Sequence, residues 1–131
     1  MQIRIKLVGA GRLRDRMRAL GDRTGPAMAT ALEAAALPLE NGWKENVRAY
    51  PLVLTGSYMR SIHHETGPAE AGRAVVLVGT DIVDPPYPKF LEFGTSRMSP
   101  KPTARPALDE RGDEMRREFG SSMKQLLGSI G

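Results

Sequence analysis

Apolar and polar positions alternate strictly along Gln2-Ile3-Arg4-Ile5-Lys6-Leu7, which predicts a half-buried strand, ended by the turn Gly9-Ala10-Gly11. From Arg12 to Leu20 the period changes: Leu13, Met17 and Leu20 recur at helical spacing, so a short amphipathic helix is expected, stopped by Gly21. Thr24-Gly25-Pro26 then reads as a helix start, with Thr24 as cap and a proline early in the first turn. Met28, Leu32, Ala35, Leu39, Trp43 and Val47 follow in steps of three or four, predicting a long helix over 27–49 with one apolar face. Pro38 removes one hydrogen bond within it and should bend it. Ala34, Ala35 and Ala36 leave room for a close neighbour, and Trp43 is expected in the core. Tyr50-Pro51 ends the helix, because the residue before a proline disfavours helical geometry.

Two strand candidates come next, Met59–Glu65 and the stronger Arg73–Gly79. They are joined as a hairpin through a longer loop containing Gly67-Pro68 and Gly72. Residues 81–86 read as loop. Further on, Leu108, Met115, Phe119, Met123, Leu126 and Ile130 trace a second long helix, weakened at Gly112 and Gly120 by about 1 kcal/mol each relative to alanine. The sum is a single small α+β domain: a small antiparallel sheet, one long helix before the hairpin and a long C-terminal helix.

The stretch from Pro85 to Asp109 fits neither period. It holds six of the ten prolines, which argues against a central strand or a long helix, yet it also carries Tyr87, Phe90, Leu91 and Phe93. A disordered linker would lack the aromatics. An irregular but ordered surface segment is expected, with Phe90 and Phe93 turned inward and Glu92, its lone acid before Asp109, turned outward, either as a plain surface acid or as the partner of an arginine on a neighbouring subunit.

Composition sharpens this picture at a few points. With 131 residues, 40% hydrophobic and 5% aromatic, the chain builds one modest core, and part of its stability is expected from partner subunits. It has no cysteine, so disulfides and thiolate metal sites are excluded. The opening Met1-Gln-Ile-Arg-Ile-Lys lacks a signal peptide's apolar core and no run approaches membrane-spanning length, so a soluble protein made in a cytoplasm is expected. The net charge of +4 rests on 14 arginines against 5 lysines, a bias that suits protein interfaces or phosphate contact alike.

No catalytic constellation stands out. His63 and His64 are adjacent on a predicted strand, so their rings face opposite ways, and neither a metal site nor a cofactor site is expected. A Ser-His pair with Ser57 or Ser61 has no Gly-x-Ser-x-Gly frame behind it. Gly9-Ala-Gly-Arg-Leu-Arg has Arg14 where a dinucleotide fingerprint needs its third glycine. Asp81 and Asp84 read as loop-capping or solvated acids. Arg12, Arg14, Arg16 and Arg18, spaced by two, fan around a helix instead of forming one DNA-reading face.

Two phrases carry a resemblance. Leu54-Thr-Gly-Ser-Tyr-Met-Arg-Ser-Ile62 is similar to Thr-Gly-x-Leu-Arg-x-Ser-Ile, with Tyr58-Met59 replacing x-Leu. Tyr87-Pro-Lys-Phe-Leu-Glu-Phe-Gly-Thr95, followed by Pro102-Thr-Ala-Arg-Pro-Ala-Leu108, resembles Tyr-Ala-x-x-x-Glu-Phe-Gly-Thr and then Pro-Phe-Leu-Arg-Pro-Ala-Leu. Together they resemble the head–tail joining, or tail-completion (neck), proteins of long-tailed bacteriophages with lambdoid-type tails, over most of the chain and least before Thr24. Pro88 departs from that pattern, as do Thr103-Ala104, which stand where an aromatic anchor is usual.

The resemblance implies a non-catalytic virion protein, made in the host bacterial cytoplasm. It would assemble with itself as a ring, six-fold or twelve-fold, at the head–tail junction. Its neighbours would be head-closure or connector proteins and a tail terminator or tail tube, with genomic DNA crossing the lumen without specific recognition. A tail terminator capping the tube is the near alternative, and a small DNA-binding module the more distant one. Closed rings use heterologous interfaces. The candidate interface residues are Tyr87, Phe90, Glu92, Phe93, Gly94, Thr95, Arg97, Pro102, Arg105 and Pro106, while Thr55-Gly56 is expected to cap and turn the chain before Ser57–Ile62.

Overall fold

A computed structural model describes residues 2–6, 24–49, 55–67, 74–82 and 87–130. The strand β1 (Gln2–Lys6) is followed by the helices α1 (Thr24–Ala49) and α2 (Thr55–Ser61), the strands β2 (Ile62–Thr66) and β3 (Val75–Thr80), and the helices α3 (Tyr87–Phe93) and α4 (Ala104–Ile130). The expected helix over 12–20, the Gly9–Gly11 turn, Asp84 and the first prolines of the Pro85–Asp109 stretch lie outside the described residues.

The sheet is antiparallel throughout, in the order β1-β3-β2, with Ile5 opposite Val76 and Ile62 opposite Thr80. Residues paired across an antiparallel ladder share a face. Val76, Val78, Ile3, Ile5, Ile62 and His64 therefore line the side that α1 covers, while Arg4, Leu77, Glu65 and His63 line the other. The core lies between this inner face and the crossing of α1 with α4: Met28, Leu32, Ala35, Leu39, Trp43 and Val47 of α1 meet Ala107, Met115 and Met123 of α4. Small residues set how near the two helices come. A methyl group at Gly42 would lie 3.1 Å from Arg111 Cγ and 3.4 Å from Ala107 Cβ. Among the described residues no helix is long and apolar enough to cross a membrane.

The α+β architecture and both long helices agree with the sequence reading, and three local expectations are corrected. Residues 59–61 are helical, and strand β2 begins only at Ile62. Ser61 makes this switch: its hydroxyl donates to Tyr58 O (2.6 Å) and lies 2.6 Å from Thr80 Oγ1 at the end of β3. Second, the described part of the Pro-rich stretch is irregular only from 94 to 103, and its two ends are helical, forming α3 and the first turns of α4. Pro88 and Pro106 fall in the first turns of these helices, as Pro26 does in α1, where a missing N–H costs nothing. Third, α4 begins at Ala104, four residues before the apolar period becomes visible at Leu108, because the cap that starts it comes from elsewhere in the chain. Helix α1 runs on through Pro38.

Candidate functional site

The Glu92-Phe93-Gly94-Thr95 motif is a chain reversal that ends one helix and starts another. Gly94 closes α3: its N–H donates to Phe90 O at 2.7 Å, and its φ of +76° is the left-handed conformation that favours glycine at this cap position. Thr95 and Met98 then face each other across a tight turn, with Thr95 N donating to Met98 O at 2.9 Å and Arg97 N to Thr95 Oγ1 at 3.2 Å. Lys101 N returns to Leu91 O at 2.6 Å, which brings Thr103 back beside α3.

Glu92 points into this reversal. It is 7% exposed, and its carboxylate accepts three backbone N–H groups at the start of α4. Oε1 takes Thr103 N at 2.9 Å and Ala104 N at 3.0 Å, and Oε2 takes Arg105 N at 3.0 Å. These are donors that a helix start leaves without intrahelical partners, and a negative charge also suits the positive end of the helix. Glu92 thus caps α4 from α3, eleven to thirteen residues earlier in the chain.

The expected orientation is therefore reversed. Glu92 is inward, committed within its own subunit, while Phe90 (43% exposed) and Phe93 (68%) face outward. They are three residues apart on α3 and so lie on one side of it. The inward apolar residues of this helix are Pro88 and Leu91.

The missing aromatic at Thr103 has a polar replacement. Thr103 is 1% exposed and Ala104 is also buried. Trp43 Nε1 donates to both Thr103 Oγ1 (3.1 Å) and Tyr58 Oη (3.2 Å), the two hydroxyls lie 3.3 Å apart, and Asn46 Nδ2 donates to Thr103 O at 2.9 Å. The two quoted phrases thus meet: Tyr58 from the first and Thr103 from the second share one indole donor. Tyr87 packs edge-on against Tyr58, with ring centres 5.9 Å apart. Burial raises the pKa of both phenols, keeping them neutral donors and acceptors.

Of the remaining candidates, Thr95, Arg97 and Arg105 are exposed, and Gly94, Pro102 and Pro106 are half-buried. Arg105 Nε pairs with Asp109 at 3.2 Å, an exposed contact worth little in stability. Lys89, Arg97 and Lys101 are exposed in the same segment as the two phenylalanines, and the only acid from Tyr87 to Pro102 is the buried Glu92. Residues 87–102 therefore expose two phenylalanines and three basic side chains but no acid. The orientation of α3 was not legible in the sequence, because a seven-residue helix spans too few turns for periodicity to tell its inner face from its outer one.

The histidines meet different partners. His64 Nδ1 lies 3.2 Å from Glu40 Oε2 on α1, and neighbouring Thr66 donates to Glu33 of the same helix. His63 Nδ1 meets the backbone carbonyl of Ser61 at 2.8 Å, and its Nε2 meets Glu65 at 3.2 Å. Both His63 contacts are to acceptors, so the doubly protonated ring satisfies both. The Ser61 carbonyl foremost, then the Glu65 carboxylate, hold its pKa above 6.5, with burial opposing. A raised folded-state value means stability that is complete below 6.5 and fades as pH climbs through the folded-state value. The His63 ring is expected to titrate above 6.5 by NMR, and Glu65→Gln to lower its midpoint; a wild-type midpoint at or below 6.5 would contradict this arrangement. Among the described residues no three His, Cys, Asp or Glu side chains converge to hold a metal ion.

Compared with protein-family models, curated proteins and solved structures, the chain has no match.

Proposed function

We propose that this chain is a structural virion protein that assembles as a ring at the head–tail junction of a long-tailed phage, with the genome passing through its lumen. One observation carries the reading beyond the sequence resemblance. The Glu-Phe-Gly-Thr residues form a single structural device whose polar groups are consumed in building a helix-to-helix reversal, and what the device presents outward is Phe90 and Phe93. Two of the chain's three phenylalanines on an exposed surface suit protein assembly. The exposed Lys89, Arg97 and Lys101 of the same segment suit contact with acidic groups of a neighbouring subunit.

The test is reconstitution. The purified protein is imaged by negative stain alone, then mixed separately with DNA-filled heads and with tail tubes. Rings that attach to heads and permit tail joining are expected. Attachment to tubes alone would replace this reading by that of a tail terminator, and a protein that forms no ring and attaches to neither would overturn it.

A further inference from the structure

A second apolar feature lies on the same molecule and shares no residue with α3. Ile5 of β1, Leu32 and Ala35 of α1, and Leu108, Gly112, Met115 and Phe119 of α4 line an open groove of about 270 Å³, with Arg116 at its edge. A closed apolar cavity of about 150 Å³ already takes up benzene, so this groove has room for a phenyl ring and part of a second. A methyl group built on Gly112 would have Arg116 Nη1, at 3.7 Å, as its nearest side-chain neighbour.

Exposed charges accompany both features. Exposed Lys89, Arg97 and Lys101 belong to the same segment of chain as Phe90 and Phe93. On α4, Asp109 and Asp113 follow the lining residues Leu108 and Gly112 by one position, and both are well exposed, at 63% and 86% of their side chains. Their present partners, Arg105 and Arg116, form exposed pairs that are readily exchanged.

We propose that Phe93, with Phe90 beside it, seats in the Leu32–Leu108–Phe119 groove of a second copy of this chain, the basic side chains of that segment exchanging with Arg105 and Arg116 for Asp109 and Asp113 of the next. Knob and groove are different surfaces, so each copy engages two neighbours and the contact is heterologous, the kind that closes rings. The inference rests on the ring reading and names its subunit contact.

The chain has no cysteine, which makes cross-linking clean. A Phe93→Cys protein and a tagged Gly112→Cys protein are mixed and treated with a short bis-maleimide. Cross-links between the two variants are expected, with none between two copies of Phe93→Cys. Gly112→Trp fills the groove at a helical position where glycine is itself unfavourable. It is expected to keep its circular dichroism melt and lose assembly by native mass spectrometry, as Phe93→Asp does. Phe93–Phe93 links would mean a symmetric dimer and overturn the proposal. So would a link within a dilute chain carrying both Met17→Cys and Gly112→Cys, since the groove would then hold the protein's own segment. Rings that persist in Gly112→Trp would refute this contact while leaving the ring reading intact; a wild-type protein that stays monomeric, alone and with heads and tails, would remove both.

Discussion

Replacing Glu92 with alanine is expected to lower the unfolding free energy by about 4 kcal/mol, a large part of the roughly 5–15 kcal/mol that holds a domain of this size together. Three backbone donors lose their acceptor at once: Thr103 N and Ala104 N in a buried site, and Arg105 N in a half-buried one. Each buried donor left unpaired costs about 1–3 kcal/mol, and water reaching Arg105 keeps the sum below the upper limit. In urea this is a midpoint shift of roughly 2 M with little change in slope, compared at fixed protein concentration. Glu92→Gln should lose about half as much. Its remaining oxygen serves Thr103 and Ala104, but its amide then turns a donor toward Arg105 N–H. The pair of variants also separates a cap from an interface partner. An interface carboxylate would leave the melting of the subunit unchanged on neutralisation and alter only assembly, and a Glu92→Ala protein as stable as wild type would refute the capping role.

Gly94→Val is expected to cost about 3 kcal/mol and Gly94→Ala about 2 kcal/mol, for two reasons that act together. The left-handed backbone, with φ of +76°, is strained by about 1–2 kcal/mol for a residue with a side chain, and more for a β-branched one. The new Cβ would also lie 2.9 Å from Met98 O and 2.9 Å from Pro100 Cδ. A backbone carbonyl and a proline ring have no rotamer with which to give way. Gly120→Ala is the control: nothing lies within 4 Å of the added methyl group, so the helix α4 should gain stability there. Thermal melts of the three variants decide the matter, and a Gly94→Ala melt matching wild type would show that the turn can relax.

These two substitutions strike the same short motif, and the structure explains why its four residues belong together. Gly94 stops α3, Thr95 tightens the return, and Glu92 starts α4 after the chain has come back. Phe93 has no part in the reversal's hydrogen bonding. It is carried outward between a buried glutamate and a glycine in the left-handed conformation, which is a rigid way to present an aromatic ring. A ring held in place on a short, well-anchored helix loses little entropy on docking.

Long-range periodicity was the most legible signal in the chain. The six apolar residues from Met28 to Val47 fall on one face because a 26-residue helix samples many turns, and all six are completely or almost completely buried. The alternation in Gln2–Lys6 and the β-branched run in β3 likewise determined strands and their inner faces. Where the signal was short, it misled. The sequence reading joins residues 59–61 to the strand that follows, yet they are helical and the Ser61–Thr80 contact stands at the switch to strand at Ile62.

What the sequence determined by itself is the α+β order, the two long helices and the hairpin. Those features follow from local periods and turn residues, which neighbours in sequence share. Only the tertiary structure decided that Glu92 is turned in and Phe93 out. A carboxylate is buried when enough donors converge on it, and here the donors belong to residues 103–105, brought back by the turn at Gly94. No pattern within a seven-residue helix encodes that convergence. It arises when two helix ends, distant along the chain, are placed side by side.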